Sequence, residues 1–193
     1  MYEHRINLVS KYFTDLKLSK KISNNLEGKK ILVVGGAGAI GSNLIIALSQ
    51  LVGSDGRIIV LDNLSSIKNK NPWNITPLQN IMFVEGDLRS DIDLKRVFKE
   101  NIDIVYHLAA FFANQNSVDY PEISADVDVI GHIKLLEYSR LANIDKFIYA
   151  SSGCAIYGSY GKLPLEEDFI SMHLTTPYQI NKMTGEMSQN IIE

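Results

Sequence analysis

A strand that runs straight into three evenly spaced glycines and then into a helix leaves a chain few folds to choose from. In KILVVGGAGAIGSN, Lys30 to Asn43, a β-branched apolar run ends at Gly35, and Gly38 and Gly41 follow at intervals of three. Each glycine has a mechanical purpose. Gly35 can make the tight turn, Gly38 lets the backbone approach a pyrophosphate, and Gly41 lets the helix pack closely on the strand. Ala39 and Ile40 then lie at the mouth of that helix, where backbone N–H groups point at a bound phosphate.

The rest of the chain repeats the alternation of strand and helix. KILVVGG, RIIVLD, IMFVEGD, IDIVYHLAA and KFIYASS read as strands, because short continuous apolar runs rich in β-branched residues suit a sheet buried on both faces. Between them the spacing predicts helices from near Ala39, over Asp91 to Lys99, Pro121 to Ala142 and Tyr178 to Ile192. The expected architecture is α/β, a doubly wound parallel sheet. LSSIKNKNPWNITPLQN, with two prolines, reads as a surface loop between the second and third strands. Residues 1–28 carry Ile6, Leu8, Val9, Phe13, Leu16, Leu18, Ile22 and Leu26 among lysines, which predicts an N-terminal helical extension ahead of a dinucleotide-binding domain over 29–193.

Composition narrows the partners. A net charge of -3 offers no global attraction for nucleic acid or an acidic membrane surface, and no apolar run reaches the ~20 residues of a membrane span. One cysteine, Cys154, excludes an internal disulfide and suits a reducing cytoplasm; it reads as a small packed residue rather than a nucleophile. No metal site is expected.

About twenty residues beyond the loop, at the end of the second strand, Asp62 is placed to accept hydrogen bonds from an adenosine ribose, with Asn63 beside it. A carboxylate there repels a 2′-phosphate and no arginine follows it, so NAD is expected over NADP. Two further strand ends face the same crevice. Asp87 and Leu88 in GDLR are candidates for the adenine, and Leu108, Ala109 and Ala110 in HLAA for a wall small enough to pass the cofactor. His107, at the end of its strand, reads as structural.

In TTPYQINKMTGEM, Tyr178 and Lys182 fall one helical turn apart and share a face. Here the chain resembles the extended short-chain dehydrogenase/reductase superfamily in its nucleotide-sugar epimerase/dehydratase branch. The resemblance rests on GGAGAIGSN, VLDNLSS, EGDLR, YHLAA, YASSGCAIYG and TPYQINKMTGE, spanning about Lys29 to Glu193. It implies a Rossmann fold, NAD, a nucleotide-sugar substrate, UDP-linked by analogy, and a homodimer formed by the helices beginning at Pro121 and Tyr178. Ile130, Ile133, Leu136, Met183 and Met187 are the apolar residues available for that contact. It also implies that Tyr178 is the catalytic base and that Lys182 favours its phenolate and binds the nicotinamide ribose. A phenol of ordinary pKa ~10 is a poor base, and a neighbouring ammonium corrects that. The family's C-terminal lobe, which closes over the sugar nucleotide, has no counterpart in the chain.

Two positions depart from the family pattern. Counting back from Tyr157, the hydroxyl that orients the substrate in many relatives falls on Gly153, which leaves Ser152, or else Ser151, to supply it. Where relatives have Asn-Val-x-Gly-Thr, this chain has Asp128 to His132. Cys154 and Ala155 cannot do the carboxylate work of a dehydratase, so an epimerase, of the 4-epimerase type, is favoured. A non-catalytic NAD-binding module and an NAD-dependent sugar dehydrogenase, reductase or dehydratase remain as alternatives.

Overall fold

A computed structural model describes residues 2–16, 22, 25–66, 77–112, 114–158 and 161–189. The chain divides into two compact units, Met1–Ala109 with Ala142–Ile148, and Ala110–Leu141 with Tyr149–Glu193.

In the first unit, β1 (Lys30–Val34), β2 (Arg57–Asp62), β3 (Ile81–Glu85), β4 (Ile104–His107) and β5 (Lys146–Tyr149) form a sheet in the order β3-β2-β1-β4-β5. The pairings of β1 with β2 and β4, and of β2 with β3, are parallel, with Leu32 opposite Ile59 and Val105. The order runs outward from β1 in both directions, which is the doubly wound topology, and its crevice opens where the order reverses. Ile31, Leu32 and Val33 are wholly buried because β1 is covered on both faces. Helix α2 (Gly41–Leu51) lays Ile45, Ile46 and Leu48 on one face, against Ile31, Val33, Ile58, Val60 and Ile104. Each such aliphatic side chain contributes ~1.5–3 kcal/mol on full burial.

The expected start of α2 at Ala39 is two residues early. Residues 35 to 40 are spent on the turn, and the ladder begins when Ser42 N–H donates to Gly38 O at 2.9 Å. Helix α1 (Tyr2–Leu16) packs on α2, with Ile6 and Val9 against the core and Arg5 Nη2 donating to Ser42 Oγ and Asn43 Oδ1, both at 3.1 Å. Helix α3 (Asp91–Phe98) is capped by Ser90, whose Oγ accepts from Asp93 N–H. The expected loop after β2 falls largely on residues 67–76, outside the described residues, as do part of the N-terminal extension, the end of the last helix and the Cys154 side chain.

The second unit is helical. The helix expected over Pro121 to Ala142 runs to Leu141 but is interrupted: α5 (Pro121–Ala125) passes through a π-helical stretch, Asp126–Gly131, into α6 (His132–Leu141). Two short helices escaped the periodicity, α4 (Asn114–Asp119) and α7 (Gly153–Ile156). They pack with α8 (Pro177–Ser188). Gly185 keeps α8 close to Tyr149, since a Cβ there would meet the phenol ring carbon Cζ at 2.7 Å. Leu136 does not join the exposed face expected of it. It is 3% exposed, whereas Ile130 and Ile133 are 49% and 42%. Each step of three residues drifts about 60° around a helix, so the second step from Ile130 carries the Leu136 side chain into the core. Among the described residues no helix is long and apolar enough to cross a membrane.

Candidate active site

The glycine turn of the first unit is held from two directions. Gly35 has φ 84°, and a Cβ on it would lie 2.6 Å from Ala109 N, so close passage of the β1 and β4 ends requires it. A Cβ on Gly41 would strike the backbone of Gly36 at 2.6 Å. Gly38 differs: its φ is ordinary and a Cβ would meet only Gly35 O at 3.4 Å, so nothing in the protein itself demands glycine there. The space beside Gly38 is what a pyrophosphate needs, and with Ala39 and the exposed Ile40 at the head of α2 the donor set fits a dinucleotide.

Asp62 ends β2 with both carboxylate oxygens engaged. Oδ2 accepts Ala37 N–H at 2.9 Å and Oδ1 accepts Leu64 N–H at 2.8 Å. Each oxygen keeps a lone pair for a further donor. Asn63 and Asp87, treated separately in the sequence, meet: Asn63 Nδ2 donates to Asp87 Oδ2 at 2.9 Å. Arg89 grips the same carboxylate from Nε at 2.9 Å and Nη2 at 2.8 Å, and with this pairing first among the causes Asp87 is lowered to about 2. Leu88 is buried next to it. Leu108 and Ala109 lie just beyond β4, their N–H groups both donating to Val34 O, while Ala110 opens the second unit. His107 is 1% exposed, its ring edge-on to Phe147 with centroids 6.3 Å apart, a packed residue.

In the second unit α8 is fixed at its start. Thr176 and Gln179 form a reciprocal capping box with Pro177 at the first turn. Tyr178 N–H donates to Ser117 Oγ at 3.0 Å, satisfying a helix-end donor through α4. Tyr178 is thereby placed in the first turn, 8% exposed, with Phe112 edge-on at 6.3 Å.

Lys182 is 3% exposed, donates to Ala150 O at 2.9 Å, and sits with Nζ 4.6 Å from the Tyr149 ring centroid. Burial pushes its pKa down and the Asp128 charge opposes that fall. Asp128 accepts from Phe111 N–H at 2.7 Å and Ser124 Oγ at 3.0 Å, and Asn181 Nδ2 donates to Ser124 Oγ at 3.0 Å. Ser117, Ser124 and Asn181 were not singled out by the sequence, where small polar residues in helices carry no pattern.

Ser152 caps α7 without using its side chain for the cap, and the Ser151 hydroxyl is enclosed with no hydrogen-bond partner among the described residues. Gly153 has room for a side chain, with nothing nearer to a Cβ than Tyr157 at 3.7 Å. No group of three metal-ligating side chains occurs among the described residues.

A parallel doubly wound sheet with a glycine turn and a terminal aspartate defines a dinucleotide-binding protein. The chain belongs to the NAD dependent epimerase/dehydratase family, whose model matches residues 31–190. Its cofactor is therefore NAD. A putative UDP-glucose 4-epimerase of Methanocaldococcus jannaschii is 41% identical over 157 residues, which are 81% of this chain and 48% of that protein. Among solved structures, an epimerase from Methanothermobacter thermautotrophicus is 48% identical with a TM-score of 0.83, covering 90% of this chain and 50% of its own. A UDP-glucose 4-epimerase of Thermotoga maritima, solved with UDP-glucose, is 36% identical with a TM-score of 0.74, covering 84% and 50%. The chain spans about half the length of these relatives.

Proposed function

We propose that the chain is the cofactor-binding half of an NAD-dependent nucleotide-sugar 4-epimerase acting on a UDP-hexose, with Tyr178 as its base. The observation that carries this is the α8 pair: a tyrosine and a lysine one turn apart, both buried, on a helix locked by its capping box. The UDP-glucose in the Thermotoga maritima relative, and the names of the related epimerases, support the substrate class.

NAD would be held by the turn from Gly35 to Gly41, by Asp62 and Asn63, by Asp87 and Leu88, and by Leu108, Ala109 and Ala110. When bound it supplies a reversible acceptor for the hydride on the sugar's C4. Tyr178 takes the proton from the C4 hydroxyl, and the Lys182 cation favours the phenolate that does so. Ser152 orients that hydroxyl. Tyr178 returns that proton to the C4 oxygen, and inversion would require the hydride to come back to the opposite face of C4; no group in the α7 loop supplies the carboxylate that elimination of water needs.

The test is Tyr178→Phe in this chain joined to the second half of a homologous epimerase. Interconversion of UDP-glucose and UDP-galactose should fall at least ~100-fold, the lower range of general acid–base contributions. NAD affinity should change little. A Tyr178→Phe protein that still interconverts the two sugars sinks the mechanism. Ser152→Ala should cost more activity than Ser151→Ala, and the reverse order would transfer the orienting role to Ser151.

A further inference from the structure

Helix α1 lies outside residues 31–190, which match the family model, yet one of its side chains reaches the start of α2. Arg5 Nη2 donates to Ser42 Oγ and to Asn43 Oδ1, both at 3.1 Å, and both acceptors stand in the first turn of α2. Those two side chains pass the contact on. Ser42 Oγ donates to Ala39 O at 3.4 Å, and Asn43 Nδ2 donates to the same oxygen at 2.8 Å. One guanidinium thus ties together residues 39, 42 and 43, where the glycine turn becomes helix. Packing alone does not call for an arginine here. α1 is held by Ile6 and Val9 against the core, and farther along Ser10 Oγ donates to Gln50 Oε1 at 3.2 Å while Gln50 Nε2 donates to Ile6 O at 3.3 Å.

The charge also sits at the end of α2 that does not favour it. A helix N-terminus carries roughly half a positive charge, so acidic side chains stabilise it and a cation opposes it. α2 has no acidic residue in its first turn, and Ile40 at its N-cap supplies no side-chain cap. Within the protein's own interactions Arg5 therefore adds positive charge to an end that is positive already. Toward the paired negative charges of a pyrophosphate the same arrangement is attractive. We propose that Arg5 is a positioning residue for NAD: it fixes the first turn of α2 through Ser42 and Asn43 and adds its charge to the end of the helix that receives the pyrophosphate. Helix α1 is then part of the cofactor site.

The inference rests on the pyrophosphate lying at the glycine turn, a reading that Gly38→Val tests by itself, so the two can fail separately. The test is calorimetric titration of the chain with NAD at low and at high salt, with no sugar and no turnover. Arg5→Met, which keeps the aliphatic stem, should weaken binding roughly fivefold or more at low salt, within the range of couplings between linked groups. The deficit should shrink at high salt, where the charge is screened. Its thermal midpoint without NAD should stay near that of the parent. Ser10→Ala, which loosens α1 away from the turn, and Lys11→Gln, which removes an exposed charge farther along α1, should bind NAD as the parent does. Parent-like affinity in Arg5→Met overturns the inference, and so does a deficit that high salt leaves untouched or that either control reproduces. One measurement needs only the unsubstituted protein to bind: the Arg5 Nε–H resonance, assigned through its loss in Arg5→Lys, should shift on saturation with NAD. A resonance that stays in place also overturns the inference.

Discussion

The Asp62 carboxylate accepts the backbone N–H of Ala37 at 2.9 Å, so the residue proposed to bind the ribose also pins the glycine turn proposed to hold the phosphates. Asp62→Asn keeps one acceptor oxygen but loses the charge and must present a donor to either Ala37 or Leu64. Hydrogen bonds to charged groups are worth ~1.5–3 kcal/mol, so NAD affinity should fall by roughly 10- to 100-fold, and the preference over NADP should shrink. Calorimetric titration with both cofactors checks this. An Asp62→Asn protein that binds NAD as tightly as the parent would remove both roles.

The three glycines of the turn should separate by phenotype. A Cβ on Gly38 would make only ordinary contact with Gly35 O at 3.4 Å, so Gly38→Val should fold with a near-normal melting profile and lose NAD binding. Gly41→Val collides with the Gly36 backbone at 2.6 Å or closer and should lose the fold itself. Circular dichroism with a cofactor titration distinguishes them. NAD binding by Gly38→Val would place the pyrophosphate elsewhere.

His132 predicts an acid limit. Its pKa is lowered to about 4, first by burial, and its neutral Nε2–H donates to Gly185 O at 3.1 Å. The unfolded chain takes up the proton near the ordinary value of ~6.5 while the fold refuses it until about pH 4, so this stabilisation is complete above ~6.5 and is lost as pH falls toward 4. The loss is on the order of 3 kcal/mol. Denaturant midpoints between those pH values should fall, and His132→Gln, which keeps a donor for Gly185, should flatten the slope. An equally steep slope in His132→Gln would assign it to other groups.

Ile123, Ile130 and Ile133 on the interrupted helix and Ile180 and Met187 on α8 are 42–69% exposed. Such side chains suit the homodimer that the family resemblance implies. Sedimentation at tens of micromolar protein should report a dimer, and Ile133→Glu or Ile180→Glu should shift it to monomer without unfolding. Monomer throughout would remove this surface from the account.

The strands were legible because burial on both faces writes itself as uninterrupted runs such as ILVV and IIVL. The glycine turn and Asp62 were legible because their spacing is a mechanical requirement. What escaped was everything that depends on packing between segments distant in sequence. Helices α4 and α7 are too short to show a period. The three-residue spacing of Ile130, Ile133 and Leu136 drifts around the helix, which carries Leu136 into the core. Ser117 and Ser124 gain meaning only because they meet α8 residues some sixty positions away. Asp128 was visible as a departure, but its bonds to Phe111 and Ser124 were not.

The account turns on hydride leaving the sugar and returning to it. Incubation of NAD and UDP-glucose with this chain joined to the second half of a homologous epimerase, followed by proton NMR of the sugar nucleotides and absorbance of reduced nicotinamide, measures both halves of that cycle. UDP-galactose should accumulate to equilibrium with no net reduced cofactor in solution. Reduced nicotinamide released in step with sugar consumed, or a dehydrated sugar as product, would contradict the assignment as an epimerase.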